Sequence, residues 1–208
     1  MKRFLILLSI AAALFSCTAE RMDQDWKRFV HPKGWHRCEP GPFQGGKYPV
    51  FYEMRIKFDS SCAYEFRDTK GAIAENQYDY NKAGGWTFKY WDSQIHSCLV
   101  GWRWGIESKK IELTFYHHSN KTAVHITDPV AMVGFYEEAI YRMYPDYKTG
   151  LIYETLEAGG VVHENSFVMP YIIGYDGRED GRESQCWFGG QEKAPHKIIL
   201  FKKQTRKQ

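Results

Sequence analysis

After residue 15 the sequence contains no long apolar run. The run it does have, Phe4 to Phe15, is interrupted only by Ser9 and falls short of the about 20 apolar residues that cross a bilayer as a helix. A membrane-spanning helix is therefore not expected. Strong charge of one sign is also lacking: 28 Lys and Arg against 25 Asp and Glu leave a net charge of +3. Much of that excess lies in Lys202, Lys203, Arg206 and Lys207, which read as a solvated end rather than a binding stripe, so nucleic acid is not expected as a partner. Metal-binding patterns are scarce too. No two cysteines stand at C-x-x-C spacing, and His96, His125, His163 and His196 have no paired carboxylate or histidine at ligand spacing. The adjacent His117 and His118 would point to opposite faces of a strand and read, with Ser119-Asn120-Lys121, as a hairpin turn. Asp176-Gly-Arg-Glu-Asp180 is acidic enough for calcium but reads as a solvated loop. No metal and no cofactor are expected. Low-complexity tracts and solenoid-period repeats are absent as well.

What is present begins with an export signal. Lys2 and Arg3 precede the short apolar run, the pattern of a removable signal peptide over residues 1–16. Leu14-Phe15-Ser16-Cys17 resembles the bacterial lipobox, although Phe15 is bulkier than that motif usually carries. The resemblance implies a lipid on Cys17, anchoring the chain to a bacterial membrane, the outer membrane on its periplasmic or cell-surface face, without any spanning segment. Each buried methylene of such a lipid contributes about 0.8 kcal/mol. Cleavage after Ala19 is the rival reading. Of the 5 cysteines, Cys38, Cys62, Cys98 and Cys186 remain once Cys17 is set aside, an even number suited to an oxidising compartment. They are candidates for two disulfides in any of three connectivities, or else small buried apolar residues.

Residues 17–47 are polar and rich in Pro and Gly, and read as a tether and irregular lead-in. Residues 48–203 read as one β-sandwich domain, and 204–208 as a basic tail. Within the domain, β-type segments are expected at Val50 to Phe58, Cys62 to Phe66, Trp86 to Trp91, Cys98 to Trp104, Lys110 to His117, Thr122 to Thr127, Tyr147 to Leu156, Ser166 to Tyr175 and Lys197 to Lys202. The clearest is Lys110 to His117, where Ile111, Leu113 and Phe115 alternate with Glu112, Thr114 and Tyr116. Phe135 to Tyr144 fits either a helix or a strand that turns at Pro145-Asp146, with strand favoured. Many short strands with little helix predict an all-β, antiparallel two-sheet sandwich of the jelly-roll, concanavalin-like kind.

Asn76 to Lys82, His96 to Trp104 and Trp187 to Lys197, the last holding Phe188-Gly-Gly and Ala194-Pro-His, resemble a group of bacterial lipoproteins and phage-associated jelly-roll proteins. That resemblance implies a sandwich and brings no activity. Gln94-Ile-His96 and Tyr147-Lys-Thr-Gly-Leu-Ile-Tyr153 are similar to segments of jelly-roll alginate lyases, with Tyr52-Glu-Met-Arg55 standing where that family has Arg-x-Glu-Leu-Arg. The second segment lacks the family's Phe and carries an additional residue between Gly and Tyr. This likeness implies a lyase site of Arg55, Gln94, His96 and Tyr153, in which His or Tyr takes the C5 proton of a uronate while Gln and Arg stabilise the charge that develops. On a sandwich, large aromatics fill the space between sheets before they meet ligand. Trp102 and Trp104 are accordingly assigned to the core, and Trp86, Trp91 and Trp187 are the candidates for stacking on a sugar.

The reading these residues favour is an exported, lipid-anchored sandwich that binds an extracellular glycan or a partner protein and has no catalytic residues. A uronate lyase and a non-binding component of a surface assembly are the alternatives. Mass spectrometry of the mature chain is expected to find an acylated N-terminal Cys17; an unmodified N-terminus at Glu20 would contradict the lipobox reading.

Overall fold

The computed structural model describes residues 25–41, 45–88, 94–126, 128–176 and 180–207. Residues 1–16, read above as a signal peptide, Cys17 and Trp91 lie outside them. The strands are β1 (Lys27–His31), β2 (Gly45–Lys47), β3 (Phe51–Phe58), β4 (Asn81–Thr87), β5 (His96–Gly105), β6 (Lys110–Ser119), β7 (Thr122–Ile126), β8 (Ala131–Val133), β9 (Ala139–Asp146), β10 (Leu151–Ala158), β11 (Val161–Val168), β12 (Asp180–Ser184) and β13 (Ile198–Lys207), with single helical turns at Ser60–Cys62, Glu75–Tyr78 and Pro170–Ile172. Six strands form one sheet in the order β1-β13-β3-β9-β10-β11. Seven form the other, in the order β2-β12-β4-β5-β6-β7 with β8 also on β6. Every pairing within the sheets is antiparallel. The protein is an all-β, two-sheet antiparallel sandwich of the jelly-roll, concanavalin-like kind.

Alternation of side chains builds the layer between the sheets. In β3, Tyr52, Met54, Ile56 and Phe58 are fully buried, while Glu53, Arg55 and Lys57 between them are partly exposed. Ile111, Leu113 and Phe115 of β6 are at most 1% exposed and belong to the core. Rings from the two sheets meet there: Trp102 lies 5.3 Å from Phe58 and Trp86 5.9 Å from Tyr52. Each such aromatic, removed from water, contributes about 1.5–3 kcal/mol or more.

β9 is a strand, although the turn after it falls at Tyr147-Lys-Thr-Gly150, not at Pro145-Asp146. Pro145 pairs with Ile152 of β10, beyond the last β3 partner of β9, Met143, so the amide hydrogen it lacks is not needed on that side. Asp146 then accepts hydrogen bonds from the Lys148 amide at 2.9 Å and the Thr149 hydroxyl at 2.7 Å, and Gly150 takes φ +76°. His117 and His118 are strand residues of β6, and the hairpin turn is Asn120-Lys121 alone, with φ 51° and 66°, the left-handed pair a two-residue hairpin requires.

The ends of the domain extend further than their composition suggests. Residues 27–31 and 45–47, read as tether and lead-in, are edge strands of the two sheets. The C-terminal residues, read as a solvated tail, continue β13 to Lys207 in register with β3. Cys62 to Phe66, in contrast, forms no strand.

β4 carries the irregularity that governs the rest. Lys82 lies opposite Gly101, but Gly84 lies opposite Val100, so Ala83 is an additional residue in the strand. Gly84 and Gly85 beside it adopt φ 135° and 144°. A Cβ on Gly85 would stand 2.1 Å from the carbonyl oxygen of Cys98 on the neighbouring strand, a contact only backbone movement could relieve. Gly34 also has positive φ, but a Cβ there would meet nothing within 4 Å. Gly85→Ala is therefore expected to lower unfolding free energy by about 3 kcal/mol or more, against about 1 kcal/mol for Gly34→Ala, as measured by denaturant titration.

Candidate functional site: a cationic cleft on the seven-stranded sheet

The additional residue in β4 sorts two side chains to opposite faces. Trp86 pairs with Cys98 and points into the core, whereas Lys82, opposite Gly101, points outward. In an unbulged strand, positions 82 and 86 would share a face. On the outward side Lys82 enters a cleft of about 340 Å³ lined by Tyr78, Asp79, Tyr80, Lys82, Tyr116 and Gly190. Tyr116 comes from β6, and its ring lies 4.5 Å from the Lys82 amine. Tyr78 closes the helical turn Glu75–Tyr78 and is 58% exposed, so its ring is available to a ligand. Gly190 belongs to the segment after β12. There the backbone of Trp187 pairs with that of Lys82 in both directions, at 2.8 and 2.9 Å, and so fixes the cleft wall.

The electrostatics of the cleft centre on a cation held in a dry setting. Burial brings the Lys82 pKa down from 10.5 to about 8, opposed by the charge of Asp79. Among the described residues the amine makes no hydrogen bond; its neighbours are an aromatic face and a carboxylate at longer range. Burial raises the Tyr80 phenol to about 12, against the pull of Arg103, and burial together with Asp79 raises Tyr116. Both phenols are thus neutral at physiological pH, and the Tyr80 hydroxyl is buried without a hydrogen-bond partner among the described residues. Arg103 supports the cleft from behind. Its guanidinium packs 4.5 Å from the Tyr80 ring centre, its Nε donates to Glu112 at 2.7 Å and its Nη1 donates to the Tyr78 carbonyl at 2.8 Å. A cation, a carboxylate, phenolic hydroxyls and an exposed ring in one cleft can hold a polar, ring-shaped, acidic ligand.

The four residues of the lyase reading do not converge. Arg55 lies on the outer face of the six-stranded sheet, paired with Glu53 at 2.9 Å and Glu138 at 3.0 Å. Tyr153 is on the outer face of that same sheet, 37% exposed, at a cross-strand position opposite Tyr144. His96 belongs to the other sheet. It is 7% exposed, its ring stacks 4.0 Å from that of Tyr171, and it accepts from the Asn120 amide at 3.3 Å. Gln94 is in the turn before β5. Of the sugar-stacking candidates, Trp86 is fully buried, because the bulge turns it inward. Trp187 is half-buried, stacked 5.2 Å from His36, and Trp91 lies outside the described residues. Trp104, assigned to the core, packs at its margin against Phe135.

Sequence reasoning missed Lys82, Asp79, Tyr80 and Tyr116 as a group. A signal existed in Ala83-Gly84-Gly85, where small and glycine residues inside a strand mark a bulge and a change of facing side chain. No group of three or more His, Cys, Asp or Glu suited to a metal occurs among the described residues. No helix among them is long and apolar enough to cross a membrane.

The fold and cleft define a class, a jelly-roll β-sandwich with a polar aromatic cleft on the outer face of one sheet. No protein-family model matches the chain, and no curated protein matches it. Among solved structures it is similar to the alginate lyase from Klebsiella pneumoniae, at 14% identity over 75% of this chain with a TM-score of 0.49. The chain spans 59% of that lyase's length. It is also similar to a Lotus tetragonolobus seed lectin, at 10% identity over 90% of this chain and 96% of the lectin with a TM-score of 0.43. The CBM2 module of the evolved Dit of Lactobacillus casei BL23 phage J-1 is similar at 8% identity over 89% of this chain and 90% of the module, with a TM-score of 0.42. These likenesses concern the arrangement of strands.

The Lys82 amine is expected to titrate near pH 8 by NMR of its labelled side chain. Asp79→Asn should lower that value further, since the Asp79 carboxylate favours the charged amine; an unchanged or higher value would contradict the assignment.

Proposed function

We propose that the chain is an exported, lipid-anchored sandwich whose cleft between Tyr78, Lys82 and Tyr116 binds an extracellular glycan carrying carboxylate groups. Support for export and anchoring comes from residues 1–17 alone. Support for the ligand comes from one observation, the Lys82 amine, largely removed from water and without a hydrogen-bond acceptor among the described residues. A desolvated cation of this kind gains most from an anion that brings its own oxygen acceptors. A uronate carboxylate does so while its sugar ring lies against Tyr78 and its hydroxyls reach Asp79 and the neutral Tyr116 phenol. A neutral glycan would leave the amine unpaired and displace what water it keeps, which disfavours binding. Sugar faces commonly pack on exposed aromatic rings, and Tyr78 offers one at the cleft mouth.

The reading is tested by calorimetry with oligouronates and with neutral oligosaccharides of the same length. Acidic oligomers should bind and neutral ones should not. Affinity should be greatest below pH 8, where Lys82 is charged, and should fall as pH rises past that value. Lys82→Ala should weaken binding by about 10- to 100-fold, the about 1.5–3 kcal/mol of a charge-assisted hydrogen bond. Equal binding of both oligomer classes, or an unaffected Lys82→Ala, would sink the proposal. Ultraviolet absorbance of an unsaturated sugar product during the titration would assign catalysis in place of binding alone.

A further inference from the structure

Two of the buried cysteines face each other across a short antiparallel ladder on the wall of the cleft. Arg37 forms an antiparallel bridge with Trp187, and the Phe188 amide donates to the His36 carbonyl at 2.8 Å. That register puts Cys38 directly opposite Cys186, as the next pair after Arg37 and Trp187. Directly opposed residues of an antiparallel pair have their Cα atoms about 4.5–5.5 Å apart, within the about 4.4–6.8 Å that a disulfide spans. Both side chains are buried, at 2% and 0% exposure; the structure holds all four of these cysteines in the reduced form, this pair as two thiols enclosed against each other. The other cysteines are placed differently. The Cys62 thiol donates to the Ile199 carbonyl at 3.1 Å, and Cys98 lies on β5, within the charge field of Glu154.

We infer that Cys38 and Cys186 form a disulfide, and that Cys62 and Cys98 remain thiols. The nucleophile is the Cys186 sulfur. Its thiol donates to the Ala83 carbonyl at 3.2 Å, and the same carbonyl accepts from the buried Lys202 amine at 3.0 Å. Burial opposes ionisation of Cys186, but Cys38 and the Lys202 charge outweigh it and lower its pKa, while the neighbouring Cys186 and burial raise that of Cys38. The oxidant is a small-molecule or protein disulfide. While the strands around the pair are still open to solvent, the Cys186 thiolate attacks one of its sulfurs and expels a thiolate, leaving a mixed disulfide. The Cys38 sulfur, losing its proton to the expelled thiolate, then displaces the second thiolate. Two protein thiols and one oxidant disulfide thus become one protein disulfide and two oxidant thiols.

The bond staples the lead-in around residues 36–39 to residues 186–188, which pair with the backbone of Lys82. It therefore holds the wall that carries Gly190. Its formation does not depend on the cleft binding a glycan, so the two proposals fail separately. The test is peptide mapping of the full chain, expressed with its leader and purified without reductant, then alkylated under denaturing conditions. A fragment joining Cys38 to Cys186, with alkylated Cys62 and Cys98, is the expected result. Alkylation of both Cys38 and Cys186, or a link from either to Cys62 or Cys98, would overturn it. Reduction of the linked protein should lower its Tm by about 5 °C or more; an unchanged Tm would overturn the stapling role.

Discussion

The carbonyl of Ala83 is the point on which several parts of the molecule depend. An additional residue in an antiparallel strand leaves backbone groups without ladder partners, and a buried orphan carbonyl costs about 1–3 kcal/mol. Here the Ala83 oxygen accepts from the Lys202 amine, and also from Cys186 for as long as that residue is a thiol. Lys202 is thereby drawn almost wholly out of solvent, and its amine also lies 4.3 Å from the Phe29 ring centre on β1. Nearby His31 is fully buried, and burial, joined by the Lys202 charge, brings its pKa to about 4, so the imidazole is neutral and adds no second cation. The bulge thus connects the C-terminal strand, the N-terminal strand and the cysteine pair, and it sends Lys82 outward and Trp86 inward.

A second polar group inside the sandwich is satisfied across the two sheets. Glu154 of β10 is fully buried and meets His117 of β6 at 2.6 Å, while Asn165 of β11 donates to it at 3.2 Å and the Tyr141 hydroxyl of β9 donates to its other oxygen. Phe167 covers the imidazole, with ring centres 4.1 Å apart. Burial and the Glu154 charge hold the Tyr141 phenol well above its ordinary pKa, which keeps its proton available to the carboxylate. Replacing such a group by apolar residues is often neutral in stability, whereas removing one partner strands a buried charge. Its physical consequence is registration: four strands from both sheets must align for every member to find its partner.

The fold was legible because it rests on period-two alternation. Ile111, Leu113 and Phe115 announce an inward face with no help from the rest of the chain, and β3 and the first part of β9 follow the same rule. Edge strands were not legible. Lys27–His31 has a single buried aromatic, and Gly45–Lys47 has almost no side chain to read, so both depend on a neighbour's register. The site was hidden for a related reason. Trp86 looks like a ligand platform and Lys82 like an ordinary surface charge until Ala83 shifts one against the other. Lys202 belongs to a basic run whose other members give no hint that this one turns inward. The Gln94-Ile-His96 and Tyr153 resemblance carried local sequence but no information on which sheet, or which side of it, each residue would occupy.

Lys82 and Asp79 together bear on how such a cleft selects. A fully hydrated surface lysine exchanges one set of water contacts for another when an anion arrives, and the net gain is about 0–1 kcal/mol. Lys82 has already lost most of its water on folding, at a cost the packing of Tyr116 and the strands around it has offset. A carboxylate of the proposed ligand would therefore restore acceptors the amine lacks, and the attraction would act at lower effective dielectric. Asp79 sets a limit on this. It helps keep Lys82 charged, yet it would also repel an anionic ligand that comes too near, so a carboxylate of the proposed ligand would have to approach the amine away from Asp79. On the proposed reading, selectivity for position as well as charge follows from the same two residues, of which Lys82 owes its facing relative to Trp86 to one additional residue in β4.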